Sequence, residues 1–288
     1  MAQPFIVPFE TFVAPARARA EIWRTLAGIC VAAIISVVTL TAFLNLLGDA
    51  GIGIDPDGGD PFSMLIILAT FVGMAMGPMA AVALLHRRGL RTLLGPLPWA
   101  LRDFIVAAGV VTLVYAASLV VWSMQYDALP GIDFGLWITV LPLALLGVLI
   151  QTGAEELVFR GYLQQQLAAR FASPIAWAIV PSALFAWGHY DETAMGQNAL
   201  LFVLATGIFG LIAADLTART GSIGAAWGMH FANNVYAVLI VSAQGPLSGL
   251  ALYQTPYTIR APEIAWLVVV DAITLLIAWG LIRRLLSR

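Results

Sequence analysis

Three short runs in the second half of the chain carry residue types at spacings suited to chemistry. The first is Glu155-Glu156-Leu157-Val158-Phe159-Arg160. Neighbouring side chains on a helix point about 100° apart, so the two carboxylates need different partners. Glu156 and Arg160 stand at i, i+4, within reach of an ion pair. That leaves Glu155 without a local counter-ion, the situation of a general base. The second run is Phe185-Ala186-Trp187-Gly188-His189. His189 ends an apolar stretch that begins at Pro174, and Gly188 beside it would let another helix approach closely. The third is His230-Phe231-Ala232-Asn233-Asn234, in which His230 and Asn234 share a helix face. Each run alone has a plainer reading: a solvated helix end, an interfacial histidine, and an interhelical hydrogen-bond pair.

The elements that must position these residues are membrane helices. Of 288 residues, 61% are hydrophobic and 10% charged, against about 45–50% and 25% in a soluble domain. Lipid is the solvent that tolerates so much apolar surface, and a spanning helix needs about 20 apolar residues. Candidate spans are 26–48, 62–86, 104–124, 136–170, 174–190, 198–217, 223–243 and 263–282. The expected fold is therefore an all-α polytopic bundle of about eight spans.

The loop charges support that number. Arg17, Arg19 and Arg24, then Arg87, Arg88, Arg91 and Arg102, then Arg170, Arg219, and Arg283, Arg284 and Arg288 all fall on one side. The other side holds Asp49, Asp55, Asp57, Asp60, Asp127, Asp133, Asp191 and Glu192, with only Arg260 as a base. The positive-inside rule makes both termini cytoplasmic. The first apolar run is too long for a signal peptide and reads as a retained helix. A net charge of −2 gives no reason to expect a nucleic-acid partner. Cys30, the only cysteine, excludes an internal disulfide and a CxxC-type metal site.

Ionisable groups inside a span are costly and default to a functional reading. Counted at about 1.5 Å per residue, Glu155 and His189 each lie about 22 Å from the Arg170–Pro174 turn, and His230 lies about 14 Å from Gly221. All three fall at middle depth and could line one cavity. Residues 136–170 would make a helix of about 52 Å, too long to cross straight. A kink is expected near Pro142 or Gln151-Thr152-Gly153. Outside the three runs, His86 reads as a snorkelling, headgroup-facing residue beside Arg87 and Arg88. Asp215 is placed to pair with Arg219 at i, i+4. Asp271 is deep in the last span, with no partner visible in the sequence.

The three runs, in this order on separate apolar segments, resemble the motifs of the CAAX protease and bacteriocin-processing family (CPBP, also called Abi). These intramembrane proteases include the type II CAAX prenyl endopeptidases. The family pattern EExxxR, FxxxH, HxxxN/D reads here EELVFR, FAWGH and HFANN. The resemblance covers roughly residues 136–243. It implies an intramembrane endopeptidase in which Glu155 activates water, His189 assists, and His230 and Asn234 stabilise the oxyanion or position the substrate. Glu156 and Arg160 support the helix. Two schemes remain open for cofactors. Glu155, His189 and His230 supply three ligands if the enzyme is zinc-dependent. With no metal, Glu155 is the base and His230 and Asn234 donate to the oxyanion. The donor set favours the metal-free scheme, since Asn is a poor zinc ligand.

On this reading residues 1–130 hold three N-terminal spans without a recognised motif. Residues 131–245 form the catalytic core, and 246–288 a periplasmic-side loop and the final span. The expected partners are membrane lipid and a peptide or membrane-protein substrate, in a bacterial inner membrane. Two other functions use the same residues: a non-catalytic scaffold or bacteriocin-immunity protein, and an ion-coupled transporter. The absence of an inverted counterpart of the motifs in the first half counts against the transporter.

Overall fold

The structure, a computed structural model, describes residues 6–286. Arg288 of the basic cluster lies outside them. The chain folds as an all-α bundle with a small sheet at one end. Six helical stretches are long and apolar enough to cross a membrane: α2 (Ile22–Asp49), α3 (Pro61–Leu84), α5 (Leu97–Ser123), Phe134–Arg170, Glu192–Thr220 and α12 (Ile264–Leu285). Ile175–Trp187 is a shorter apolar helix, and the expected seventh span is α11 (Gly224–Asn234) with its continuation Val235–Ile240, so about eight segments are helical. The short α4 (Arg91–Leu94) joins α3 to α5. The outer faces carry apolar side chains such as Val37, Leu113 and Val120 in the open. The chain is an integral membrane protein.

Helix ends are set by local chemistry. Asp60 caps α3, its side chain accepting from the Ser63 amide at 3.0 Å, with Pro61 at the first helical position. Asp133 accepts from the Leu136 amide at the start of α6 (Phe134–Glu156). The short α9 (Glu192–Met195) precedes α10 (Ala199–Thr220), which stops at Gly221, whose φ of 70° is the left-handed conformation that favours glycine.

The segment Phe134–Arg170 runs as one helix of 37 residues. It is not broken at Pro142 or at Gln151-Thr152-Gly153. Its irregularity lies further on, where Leu157–Gln164 is a π-helix between α6 and α7 (Gln165–Arg170). Gly153 serves a different purpose. A Cβ there would lie 2.7 Å from the Trp227 ring, and the Trp227 indole donates to Leu149 O and Thr152 Oγ1. The glycine thus makes room for the aromatic ring that fixes α11 against α6.

Other expectations need correction. Span seven ends at Ile240, not 243, because Val241–Gln244 is strand β2. The released Leu239 carbonyl accepts from Trp137 Nε1 and from the Leu252 amide. Strand β3 (Tyr253–Thr258) pairs in parallel with β2 and antiparallel with β1 (Leu129–Pro130), giving the order β1-β3-β2. Gly188 admits no second helix, since a Cβ there would meet only the carbonyls of Leu184 and Phe185. Close helix approach occurs instead at Gly224 and Gly228, where a Cβ would fall 2.1 Å from Ala100 O and 2.2 Å from Phe104 O of α5.

The sequence also gave no sign of α1 (Val7–Arg17). It buries Phe9, Phe12 and Val13 against Leu93, Leu163 and Ile223, and its Pro8 rests on Gly221. Beside the turn between α1 and α2, His86 is buried rather than facing headgroups. Its Nδ1 is 3.0 Å from Arg19 O and its Nε2 is 3.0 Å from Tyr162 OH. Burial holds its pKa below the ordinary histidine value.

Candidate active site

The motif residues come from three helices. Glu155 and Glu156 end α6, and His189 follows α8 (Val180–Trp187) by two residues. His230 and Asn234 lie on α11. Glu155, His189, His230 and Asn234 all line one cavity of about 550 Å³, which also takes in Gln151, Asn233 and Asp271. Its remaining wall is mostly apolar, with Leu68, Phe185, Phe202 and Phe209 among its members.

The two carboxylates face different neighbours, as the helical angle requires. Glu156 is fully buried, and its Oε1 accepts from Arg160 at 2.9 Å and from His230 Nδ1 at 2.8 Å. Arg160 also donates to Gly210 O at 3.2 Å and packs 4.8 Å over the Phe185 ring. The i, i+4 pair read from the sequence is therefore present, and it reaches further than the sequence indicated. Glu156 joins Arg160 on its own helix to His230 on another.

Glu155 Oε2 has no hydrogen-bond partner among the described residues. His230 Nε2 approaches it to 3.4 Å. The imidazole thus stands between the two carboxylates, its Nδ1 held by Glu156 and its Nε2 turned toward Glu155. Edge contacts with Phe185 and Phe209 fix the ring plane, at centroid distances of 6.0 and 4.7 Å. A histidine whose Nδ1 is bound by a carboxylate has its orientation and tautomer set by that partner.

Asn234 donates from Nδ2 to Gln151 Oε1 at 2.8 Å. An amide nitrogen has two protons, so one remains for another acceptor. Gln151 was not singled out by sequence reasoning as part of a site. The available signal was its i, i+4 relation to Glu155, which puts both on one helix face. His189 bonds through Nδ1 to its own helix, at Phe185 O, 2.8 Å away. It shares the cavity with Glu155 and His230 without bonding to either. No group of three or more His, Cys, Asp or Glu side chains among the described residues is arranged to hold a metal ion.

Asp215 pairs with Arg219 at 3.0 Å, as its spacing implied, and Trp279 and Arg283 approach the other oxygen. Asp271 gains the partner the sequence did not show: Tyr115 OH, 2.8 Å away and 2.6 Å from Asn233 Oδ1.

Residues 135–236 match a family described as "Type II CAAX prenyl endopeptidase Rce1-like". This stretch is Rce1-like. It contains all the motif residues, so the resemblance drawn from three short patterns extends over residues 135–236. The Rce1-like stretch begins at α6 and excludes both Tyr115 and Asp271. The uncharacterized protein YyaK of Bacillus subtilis (strain 168) is 28% identical over 178 residues, 60% of this chain and 59% of that protein. The chain thus matches about three fifths of the length of its curated relative. No solved structure matches the chain.

Proposed function

We propose that the protein is an intramembrane endopeptidase that hydrolyses a peptide bond of a membrane-associated protein or peptide. The observation that carries this is Glu155: a buried carboxylate oxygen that no described residue hydrogen-bonds, beside His230 Nε2 and on a cavity shared with His189, His230 and Asn234. Its place inside the Rce1-like stretch supports the same reading.

The proposed mechanism is metal-free. Glu155 Oε2 takes a proton from the attacking water and delivers it to the leaving amine. The oxyanion forms within reach of His230 Nε2, which donates to it as the imidazolium, and of the second Asn234 amide proton. Glu156 is the counter-ion of His230 when the imidazole carries charge. His189 lines the same cavity and assists at the leaving group or the water. The apolar wall keeps bulk water from competing. The protein sits in a bacterial plasma membrane with both termini cytoplasmic. Its substrates are peptide precursors or membrane-anchored regulators.

Comparing peptide termini in membranes of cells carrying wild-type or Glu155→Ala protein tests the reading. Peptides released only by the wild type are expected. If no terminus depends on Glu155, proteolysis by this site is refuted. With such a peptide in hand, EDTA is expected to leave the rate unchanged. Loss of activity on chelation, restored by zinc, would replace the metal-free scheme.

A further inference from the structure

Asp271 has no role in the chemistry above, yet its side chain lines the same cavity as Glu155 and His230. It also lines a second chamber, of about 430 Å³, between α5 and α12. Leu267, Ala237 and Thr255 are likewise shared, so the two spaces adjoin along one wall.

The second chamber has a distinct character. Five aromatic side chains line it: Tyr115, Trp122, Tyr126, Tyr236 and Trp266. Tyr115 and Tyr236 lean together at 5.4 Å, and Trp122 stacks on Tyr126 at 5.9 Å. Asp271 is the one charged residue lining the chamber among the described residues. Its carboxyl is contacted by Tyr115 OH at 2.8 Å, and no Arg or His among the described residues pairs with it. A carboxylate in an apolar membrane interior is costly unless a cation meets it. Aromatic faces around an acid attract organic cations.

We propose that Asp271 and the aromatic chamber form a specificity site for a basic side chain of the substrate, an arginine or lysine near the bond to be cut. The occupant is a peptide rather than a lipid because the chamber shares its Asp271 wall with the cavity of Glu155 and His230. This inference rests on the proteolytic reading for its biological meaning, while the cation site itself is tested by binding. Tyr115 OH, between Asp271 and Asn233, links occupancy of the chamber to the residue beside Asn234.

The test uses the full chain in phosphatidylglycerol nanodiscs and two labelled peptides, acetyl-Leu-Leu-Arg-Leu-Leu-amide and the same peptide with Gln in place of Arg. The Arg peptide is expected to bind about tenfold more tightly, the scale of one ion pair with cation–π support. Asp271→Asn is expected to bring the ratio of the two affinities to about one, whereas Tyr115→Phe retains a preference for Arg. Equal binding by the wild type, or an unchanged ratio in Asp271→Asn, overturns the proposal. Nanodiscs of phosphatidylcholine provide a third arm. If phosphocholine binds in an Asp271-dependent way and neither peptide does, the chamber is a lipid-headgroup site and the proposal falls. An Arg preference without any Glu155-dependent cleavage would refute the proteolytic reading and leave the cation site standing.

Discussion

Replacing Glu156 by glutamine keeps the shape of the side chain and removes its charge. Arg160 is 2% exposed and Glu156 0%, so the change strands a cation that has lost its counter-ion. Breaking one side of a buried pair costs about 3–5 kcal/mol. That is a large share of a total stability of about 5–15 kcal/mol. The second change, Arg160→Met, removes the stranded charge. Neutral replacement of both partners is often close to stability-neutral. The lost donor to Gly210 O should leave a residual deficit of about 1 kcal/mol. Glu156→Gln alone is therefore expected to lose about 3–5 kcal/mol, and the double variant to recover most of it. Unfolding by SDS titration in mixed micelles, followed through the nine tryptophans, reads both values. The double variant should nevertheless cleave slowly, because His230 no longer faces a charged partner through Nδ1. Additive losses in the double variant, or a loss below about 1 kcal/mol in the single one, would refute the reasoning that the pair is a coupled buried unit.

Three further outcomes are expected. Gly228→Ala puts a methyl group where the Phe104 carbonyl already stands, 2.2 Å away, and should destabilise the α5–α11 contact by about 1–3 kcal/mol in the same titration. His86 has its pKa held below 6.5 by burial, so the folded state gains from its neutrality. That contribution is complete above about pH 6.5 and is lost as the pH falls through the lower folded value. A His86→Gln protein should lose this slope, and an unchanged pH profile would count against a buried His86. Asp60 has its pKa lowered from 3.8 by the Ser63 hydrogen bonds at the start of α3. Its stabilising effect is complete above pH 3.8 and is lost as the pH falls through the depressed folded value. Amide exchange at Ser63 should accelerate over that range in the wild type and show no such step in Asp60→Asn.

Much of this protein was legible in its sequence. Lipid as solvent demands long apolar helices, and the alternation of Arg-rich and Asp-rich loops required about eight of them. Helical geometry separated Glu155 from Glu156 and tied Glu156 to Arg160, because contacts at i, i+4 are fixed by the helix itself. Counting residues placed Glu155, His189 and His230 at one depth. The tertiary structure decided everything that depends on which helices touch. It brought His230 to Glu156, Gln151 to Asn234, and Tyr115 to Asp271 across 74, 83 and 156 residues of chain. Pro142 and Gly153 looked like breakers, yet the helix passes through both, and Gly153 makes room for Trp227. The helix α1 and the burial of His86 have one cause that local pattern does not carry: α1 packs on distant parts of the chain, and His86 is held by Arg19 O, Tyr162 and Gln166. Local pattern fixes which residues can act as neighbours along a helix, and only packing decides which faces meet.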